Sequence, residues 1–235
     1  MRPLAILIAG EPVPAALAAR GSFGDMIRKV VGDAWQGPWA EIDGRGDLPS
    51  FERFAGLIIT GSSANVPTRE GWIVELERYL ARAVAAEIPI FGICFGHQLL
   101  GQALGGLVTK NPKGREIGSV AVELVAPDPL LVGLEGSLLA NMTHIDSVVT
   151  LPPGARVLAR SELDEHAMVR FSERAWGVQF HPELDAEIIG HYLAARREAV
   201  LAEGLDLTAI EQGLADTPAS EAILRRFVSS LPARS

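Results

Sequence analysis

The segment that most constrains this chain is Ile88-Pro89-Ile90-Phe91-Gly92-Ile93-Cys94-Phe95-Gly96-His97-Gln98-Leu99-Leu100. An apolar strand pattern runs directly into a helical one, with a glycine two positions either side of Cys94. A chain can reverse from strand to helix this sharply only where neighbouring side chains are absent, and glycine supplies that absence. Such a turn lifts the residue at its apex above the carboxyl edge of a sheet, where open α/β sheets hold their ligands. A lone cysteine is most often a small buried hydrophobe. At the apex of this turn Cys94 reads instead as a nucleophile.

The surrounding pattern supplies the sheet. Short apolar runs at 4–9, 55–60 and 88–93 are bounded by Gly, Pro or Asp and read as buried strands. Between the second and third, residues 71–87 place Ile73, Leu76, Leu80 and Val84 at helical spacing. Strand, helix, strand in that order predicts a parallel crossover with both sheet faces covered. Met26, Ile27, Val30 and Val31 suggest a helix after the first strand. Four shorter strand candidates follow at 120–125, 155–159, 167–171 and 175–180, with Ser172-Glu173-Arg174 as a tight connection between the last two. The pattern is helical over 185–203 and again over 220–231.

Composition narrows the setting. With 48% hydrophobic and 21% charged residues over 235 positions, the chain has ordinary globular usage and enough length for a large core. A single cysteine allows no internal disulfide and favours a reducing compartment. The apolar run at 4–9 is too short for a signal-peptide core, and no stretch reaches the roughly 18 residues of a membrane span, so a soluble, cytoplasmic protein is expected. A net charge of −8, with basic residues no more than paired, argues against a nucleic-acid binder. The histidines are scattered and the only thiol is otherwise assigned, so no metal site is expected.

A thiol nucleophile needs a base, normally histidine. His97 follows Cys94 by three positions in the helix and points away. His166 precedes a strand, and His191 falls within a long helix. His181 closes the segment Trp176-Gly177-Val178-Gln179-Phe180 and is followed by Pro182 and Glu183. In extended chain, residues two apart share a side, so Glu183 is expected beside His181, orienting the imidazole and stabilising its charged form. At the elbow, the positive end of the following helix and an imidazolium both favour thiolate. The Phe95 N–H would face the oxygen of the carbonyl under attack, a donor worth roughly 3 kcal/mol.

Gly92-Ile93-Cys94-Phe95-Gly96-His97-Gln98, followed by His181-Pro182-Glu183, resembles the class I glutamine amidotransferases, whose elbow reads Gly-x-Cys-x-Gly-x-Gln. Thr60-Gly61-Ser62-Ser63, Trp72, Ala103-Leu104-Gly105-Gly106, Gly114-Arg115-Glu116-Ile117-Gly118 and His144-Ile145-Asp146 are similar to the stand-alone relatives of the GMP synthetase amidotransferase domain. The resemblance implies a flavodoxin-like three-layer αβα sandwich with a mainly parallel central sheet. It spans roughly residues 4–191, and the expected organisation is an amidotransferase domain at 1–200 with a helical C-terminal extension at 201–235. It implies a Cys94–His181–Glu183 triad, oxyanion donors at Gly61, Ser62 and Phe95, and substrate contacts at Gln98, His144 and Asp146. No cofactor is implied. Two positions depart from the family: Asn65-Val66-Pro67-Thr68 replaces the usual Ser-Val-Tyr-Asp, and Ile145 stands where a small residue is common. The first is expected to change the rim of the pocket, and the second to narrow the site or alter which γ-glutamyl compound fits.

The function implied is hydrolysis of the glutamine side-chain amide to glutamate and ammonia, with a separate synthetase consuming the ammonia. An independent hydrolase of γ-glutamyl peptides or conjugates is the alternative, and a non-enzymatic interaction module is a third that the intact triad disfavours. A redox role, as in the related intracellular-protease-like branch, is set aside because there a histidine usually follows the cysteine directly, whereas here Phe95 does. Acceptor and oligomeric state leave no trace in the sequence.

Overall fold

A computed structural model describes residues 1–232; the last three positions of the extension expected over 201–235 lie outside the described residues. In chain order the elements are β1 (Leu4–Ile8), α1 (Pro14–Arg20), α2 (Phe23–Val31), β2 (Trp39–Asp43), β3 (Gly56–Ile59), α3 (Gly71–Ala85), β4 (Ile90–Ile93) and α4 (Phe95–Ala103). Then come β5 (Leu107–Lys110), β6 (Glu116–Leu124), β7 (Ser137–His144), β8 (Asp146–Thr150), β9 (Arg156–Arg160), β10 (Met168–Ser172) and β11 (Ala175–Val178). Helices α5 (Ala186–Ala195), α6 (Arg197–Ala202), α7 (Leu207–Gln212) and α8 (Pro218–Ser229) complete the chain.

Nine strands form one sheet in the order β2-β1-β3-β4-β11-β10-β9-β6-β7, and β5 pairs with β8 separately. The first five are mutually parallel and the remaining four continue the sheet antiparallel. This is the expected three-layer αβα sandwich with a mainly parallel centre. Side chains two apart on a strand share a face, and β1 divides accordingly. Leu4 and Ile6 join the core under α2 and α8, while Ala5 and Leu7 join the core under α3 and α4.

The sandwich is closed by residues the family resemblance did not cover. Phe227 of α8 is fully buried against Phe91 and Trp176, at ring separations of 5.2 and 6.1 Å. α6 and α7 place Val200 and Leu207 against Ile117 of β6. The tail therefore forms part of a core and does not hang from it.

Three expectations need correction. The helix expected over 185–203 is broken at Arg196, whose ψ of 10° departs from helical geometry and separates α5 from α6. β11 ends at Val178, two residues short of the expected strand, because the chain bends at Gln179 and Phe180. Pro182 and Glu183 lie in a turn, closed by Leu184 N–H donating to His181 O at 3.3 Å, and not in extended chain. Strands β2, β5, β7 and β8 and helices α1 and α7 had no counterpart in the sequence reading. β2, at the edge, shows water too many of its side chains for a buried apolar run to form.

Because Phe227 anchors the third layer, Phe227→Ala is expected to cost about 3–5 kcal/mol. Leu201→Ala, at a position 52% exposed, should stay within about 0.5 kcal/mol. Urea unfolding midpoints of the two variants check the difference.

Candidate active site

Parallel strands β3, β4 and β11 are neighbours, with Ile59 opposite Gly92 and Val178 opposite Ile93. Whatever follows each of them emerges at the same carboxyl edge. Gly61 and Ser62 follow β3, Cys94 follows β4, and His181 follows β11.

Cys94 adopts φ 50° and ψ −99°, in the left-handed region that a residue with a Cβ avoids. Strain of this kind costs on the order of 1–3 kcal/mol and must be held by its surroundings. The Cys94 N–H donates to Val178 O at 2.8 Å, and its carbonyl accepts from Gln98 N–H at 3.0 Å. A Cβ on Gly92 would lie 2.5 Å from the Gly96 carbonyl, and one on Gly96 would lie 2.6 Å from Ile59 O. Both glycines are required by contact, as their placement around the cysteine suggested.

His181 is 3% exposed, and its Nδ1 lies 2.7 Å from Glu183 Oε1. A carboxylate accepts, so Nδ1 carries hydrogen. The ring lies near those of Phe23 and Tyr192, each at 6.4 Å, and a Cβ on Gly61 would come within 2.9 Å of its Cε1. The imidazole is thus fixed by α2, α5 and the turn after β3. Nε2 is buried and makes no hydrogen bond to nitrogen or oxygen among the described residues.

Electrostatics couples the two groups. Burial alone would disfavour the charged imidazole, but Glu183 and Cys94 outweigh it and push the His181 pKa up to about 10. Burial likewise opposes a Cys94 thiolate; His181, with a smaller contribution from His144, reverses that and holds the thiol below its ordinary value.

Behind the elbow lies a buried polar network. His144 Nε2 is 3.1 Å from Glu116 Oε2, its cross-strand partner, and His144 Nδ1 is 3.0 Å from Asp146 O. Both neighbours are acceptors, so only the doubly protonated imidazolium satisfies both. Burial works against that charge; the Glu116 hydrogen bond and Asp164 override it and raise the His144 pKa. Ser161 donates to the same Glu116 oxygen at 2.9 Å. Gln98 donates through Nε2 to Asp146 O at 2.8 Å and Gln179 Oε1 at 3.0 Å, tying α4 to the ends of β8 and β11.

The turn after β3 is pinned to β1. Thr60 Oγ1 accepts from Ala9 N–H at 3.0 Å, and Ser62 Oγ donates to Ala9 O at 2.9 Å. The backbone N–H groups of Gly61, Ser62 and Phe95 make no hydrogen bond to protein among the described residues. The other histidines stand apart. His97 is fully buried against Phe171 and Gly177, with burial lowering its pKa to about 4. His166 sits by Val148 O, and His191 faces Glu187.

Sequence reasoning missed Asn141. Its Nδ2 donates to Leu184 O at 2.8 Å and its backbone O accepts from His181 N–H at 2.8 Å, so it grips both ends of the His-Pro-Glu turn. Its Oδ1 accepts from Ser119 Oγ, which in turn accepts from Ala215 N–H in the tail. Nothing in the local pattern marks it, because its partners are distant in sequence.

The family model of the class I glutamine amidotransferases matches residues 36–197. The chain belongs to that family. Its chemistry is therefore cysteine-dependent hydrolysis or transfer of an amide. A glutamine amidotransferase-like protein of Schizosaccharomyces pombe is 28% identical over 201 residues, covering 79% of this chain and 81% of that protein. A glutamine-hydrolysing GMP synthase chain of Sulfurisphaera tokodaii is 47% identical over 97 residues, 41% of this chain and 51% of that one. The match to the GMP synthase of Thermomicrobium roseum, 37% identical, takes in 55% of this chain but only 23% of that enzyme. The crystal structure of a glutamine amidotransferase from Thermotoga maritima shares the fold, with a TM-score of 0.74, 21% identity and coverage of 98% and 100%. Among the described residues no helix is long and apolar enough to cross a membrane.

Because the thiol is held below its ordinary pKa of about 8.5, Cys94 should alkylate readily with iodoacetamide at pH 7. In His181→Ala the main cation is gone, and burial together with Glu183 is opposed only by the smaller effect of His144, so the apparent thiol pKa should rise above the ordinary value. A rate-against-pH profile that does not move in the variant would break the coupling.

Proposed function

We propose that this protein hydrolyses the side-chain amide of glutamine to glutamate and ammonia through Cys94, His181 and Glu183. The observation that carries the reading is the meeting of a strained cysteine elbow with a 2.7 Å His181–Glu183 hydrogen bond at adjacent strand ends.

The Cys94 thiolate attacks the amide carbon, forming the S–C bond as the carbonyl π pair moves onto oxygen. The unengaged N–H of Phe95 and those of the Gly61-Ser62 turn would stabilise that oxyanion, in the manner of preorganised donors. Imidazolium His181 gives a proton from Nε2 to the departing nitrogen, and the C–N bond breaks to release ammonia. Neutral His181 then takes a proton from water, whose oxygen attacks the thioester; glutamate leaves and the thiolate returns. Glu183 keeps Nδ1 protonated, so Nε2 is the nitrogen that exchanges protons. The turn from His144 to Asp146 is assigned to the amino-acid end of the substrate, with the Asp146 carboxylate as the contact because both ring nitrogens of His144 are engaged. Gln98, already engaged with Asp146 and Gln179, is assigned to holding that wall.

The GMP synthase relatives favour a separate synthetase as consumer of the ammonia. A second reading, hydrolysis of larger γ-glutamyl conjugates, rests on a cavity of about 700 Å³ beside the turn after β3, lined by Gly10 and Ser63 and not by Cys94 or His181. Glu11, Glu41, Asp43 and Arg45 also line it and would tolerate a polar leaving group.

Glutamate release from glutamine and from small γ-glutamyl peptides, with Cys94→Ala as control, tests both. Fast Cys94-dependent release from glutamine supports the first reading, and preference for a conjugate supports the second. No release, together with Cys94 that resists a glutamine-mimicking electrophile, would sink both. Cys94→Ala should abolish turnover without unfolding the chain. His181→Ala should cost about 10²–10⁴-fold in kcat, and Glu183→Gln less, because it disturbs orientation while leaving the base in place; the reverse order would reassign their roles.

A further inference from the structure

We propose that Arg196 binds the α-carboxylate of the γ-glutamyl substrate and so sets the site's preference for free amino-acid ends. This deepens the hydrolysis proposed above and rests on that reading.

Arg196 sits at the break between α5 and α6, where its N–H donates to Tyr192 O at 3.1 Å and Leu193 O at 3.2 Å. Its guanidinium lies over the Tyr192 ring, 5.0 Å from the centroid, and that ring lies 6.4 Å from the imidazole of His181. One aromatic side chain therefore separates this cation from the base. The break in the helix and His181 are linked through the Tyr192 ring, which the guanidinium overlies and which is tilted 33° to the imidazole.

Arg196 lacks a counterion among the described residues. Its Nη1 is buried with no hydrogen-bond partner there, and no carboxylate among them forms an ion pair with it. Two other arginines are satisfied: Arg115 holds Glu203 bidentately at 2.9 and 3.1 Å, and Arg20 reaches Asp185 and Glu187 at the far end of α5. Leaving a charged donor buried and unpaired costs more than leaving a neutral one so. A planar fork with five donors is matched best by a carboxylate. The arrangement is one anion short, and the anion it is shaped for is the one a γ-glutamyl compound carries.

The placement suits that ligand. A glutamine whose amide carbon is at Cys94 extends about 5 Å to its α-carboxylate, so its anionic end needs a fixed cation about one side chain from the nucleophile. Burial holds the Arg196 guanidinium below its usual pKa; Tyr192 and Cys94 oppose that effect and Arg115 adds to it. The complementary charge is also available: the Asp146 carboxylate accepts no hydrogen bond among the described residues, and burial raises its pKa. An α-ammonium would relieve it as an α-carboxylate relieves Arg196.

The test measures inactivation of Cys94 by a diazoketone analogue of glutamine, by the same analogue with its α-carboxylate capped as an amide, and by iodoacetamide as reference. Wild-type protein should prefer the free acid. In Arg196→Met that preference should fall about 10–100-fold relative to iodoacetamide, with the capped analogue little affected. Arg196→Lys should recover part of it. On glutamine itself KM should rise by the same factor while kcat changes far less. Arg196→Gln, which keeps polar contact over Tyr192, serves if the methionine variant unfolds. Undiminished discrimination in a folded Arg196 variant overturns the inference while leaving the hydrolysis reading intact. Wild-type Cys94 that reacts with iodoacetamide but with neither analogue overturns the hydrolysis reading, and the inference with it.

Discussion

The structure turns on the close approach between the first turn of α4 and the strands beneath it. Cys94 can hold its left-handed backbone only because Gly92 and Gly96 let α4 touch β4 and the Ile59 carbonyl of β3. That contact aims the α4 N-terminus and the Phe95 N–H at one point. It also fixes where β3 and β11 must end relative to Cys94, through Ile59 opposite Gly92 and Val178 opposite Ile93. A side chain at either glycine would push the helix off the sheet and release the strain that the elbow stores.

Charge is the second organising element. The interior around the elbow holds two imidazolium-favouring positions, His181 beside Glu183 and His144 beside Glu116, at hydrogen-bond distances of 2.7 and 3.1 Å. Each is a buried cation with a carboxylate partner, an arrangement that is costly to build and costlier to break by removing one member. Both act on Cys94 in the same direction, toward thiolate. The C-terminal tail supports this machinery mechanically. Ala215, Ser119 and Asn141 form a hydrogen-bonded chain that ends on the His181–Leu184 turn.

Much of this was legible from sequence because local rules fixed it. Apolar runs bounded by turn residues located β1, β3, β4 and the β10–β11 hairpin within one or two residues. The glycine spacing about Cys94 announced an elbow, and His-Pro-Glu announced the partner. The β7 strand, Ser137–His144, was illegible for a physical reason. Asn141, Thr143 and His144 are polar yet buried, and Asn141 and His144 are satisfied by partners far along the chain. The His181–Glu183 contact was anticipated on the wrong geometry. A turn, not extended chain, brings the two side chains together, and a two-residue spacing cannot distinguish them.

The sequence by itself determined the residue types that chemistry needs, the order of the elements and the parallel crossover that sets the sheet, since these follow from periodicity and from the sterics of glycine and proline. Tertiary structure alone decided that a turn brings Glu183 onto His181, that Glu116 faces His144, and that Arg196 has no counterion among the described residues. Those outcomes depend on register between strands and on the packing of helices remote in sequence. Distance and burial set the strength of a charge's interactions, and neither is written into any local stretch of the chain.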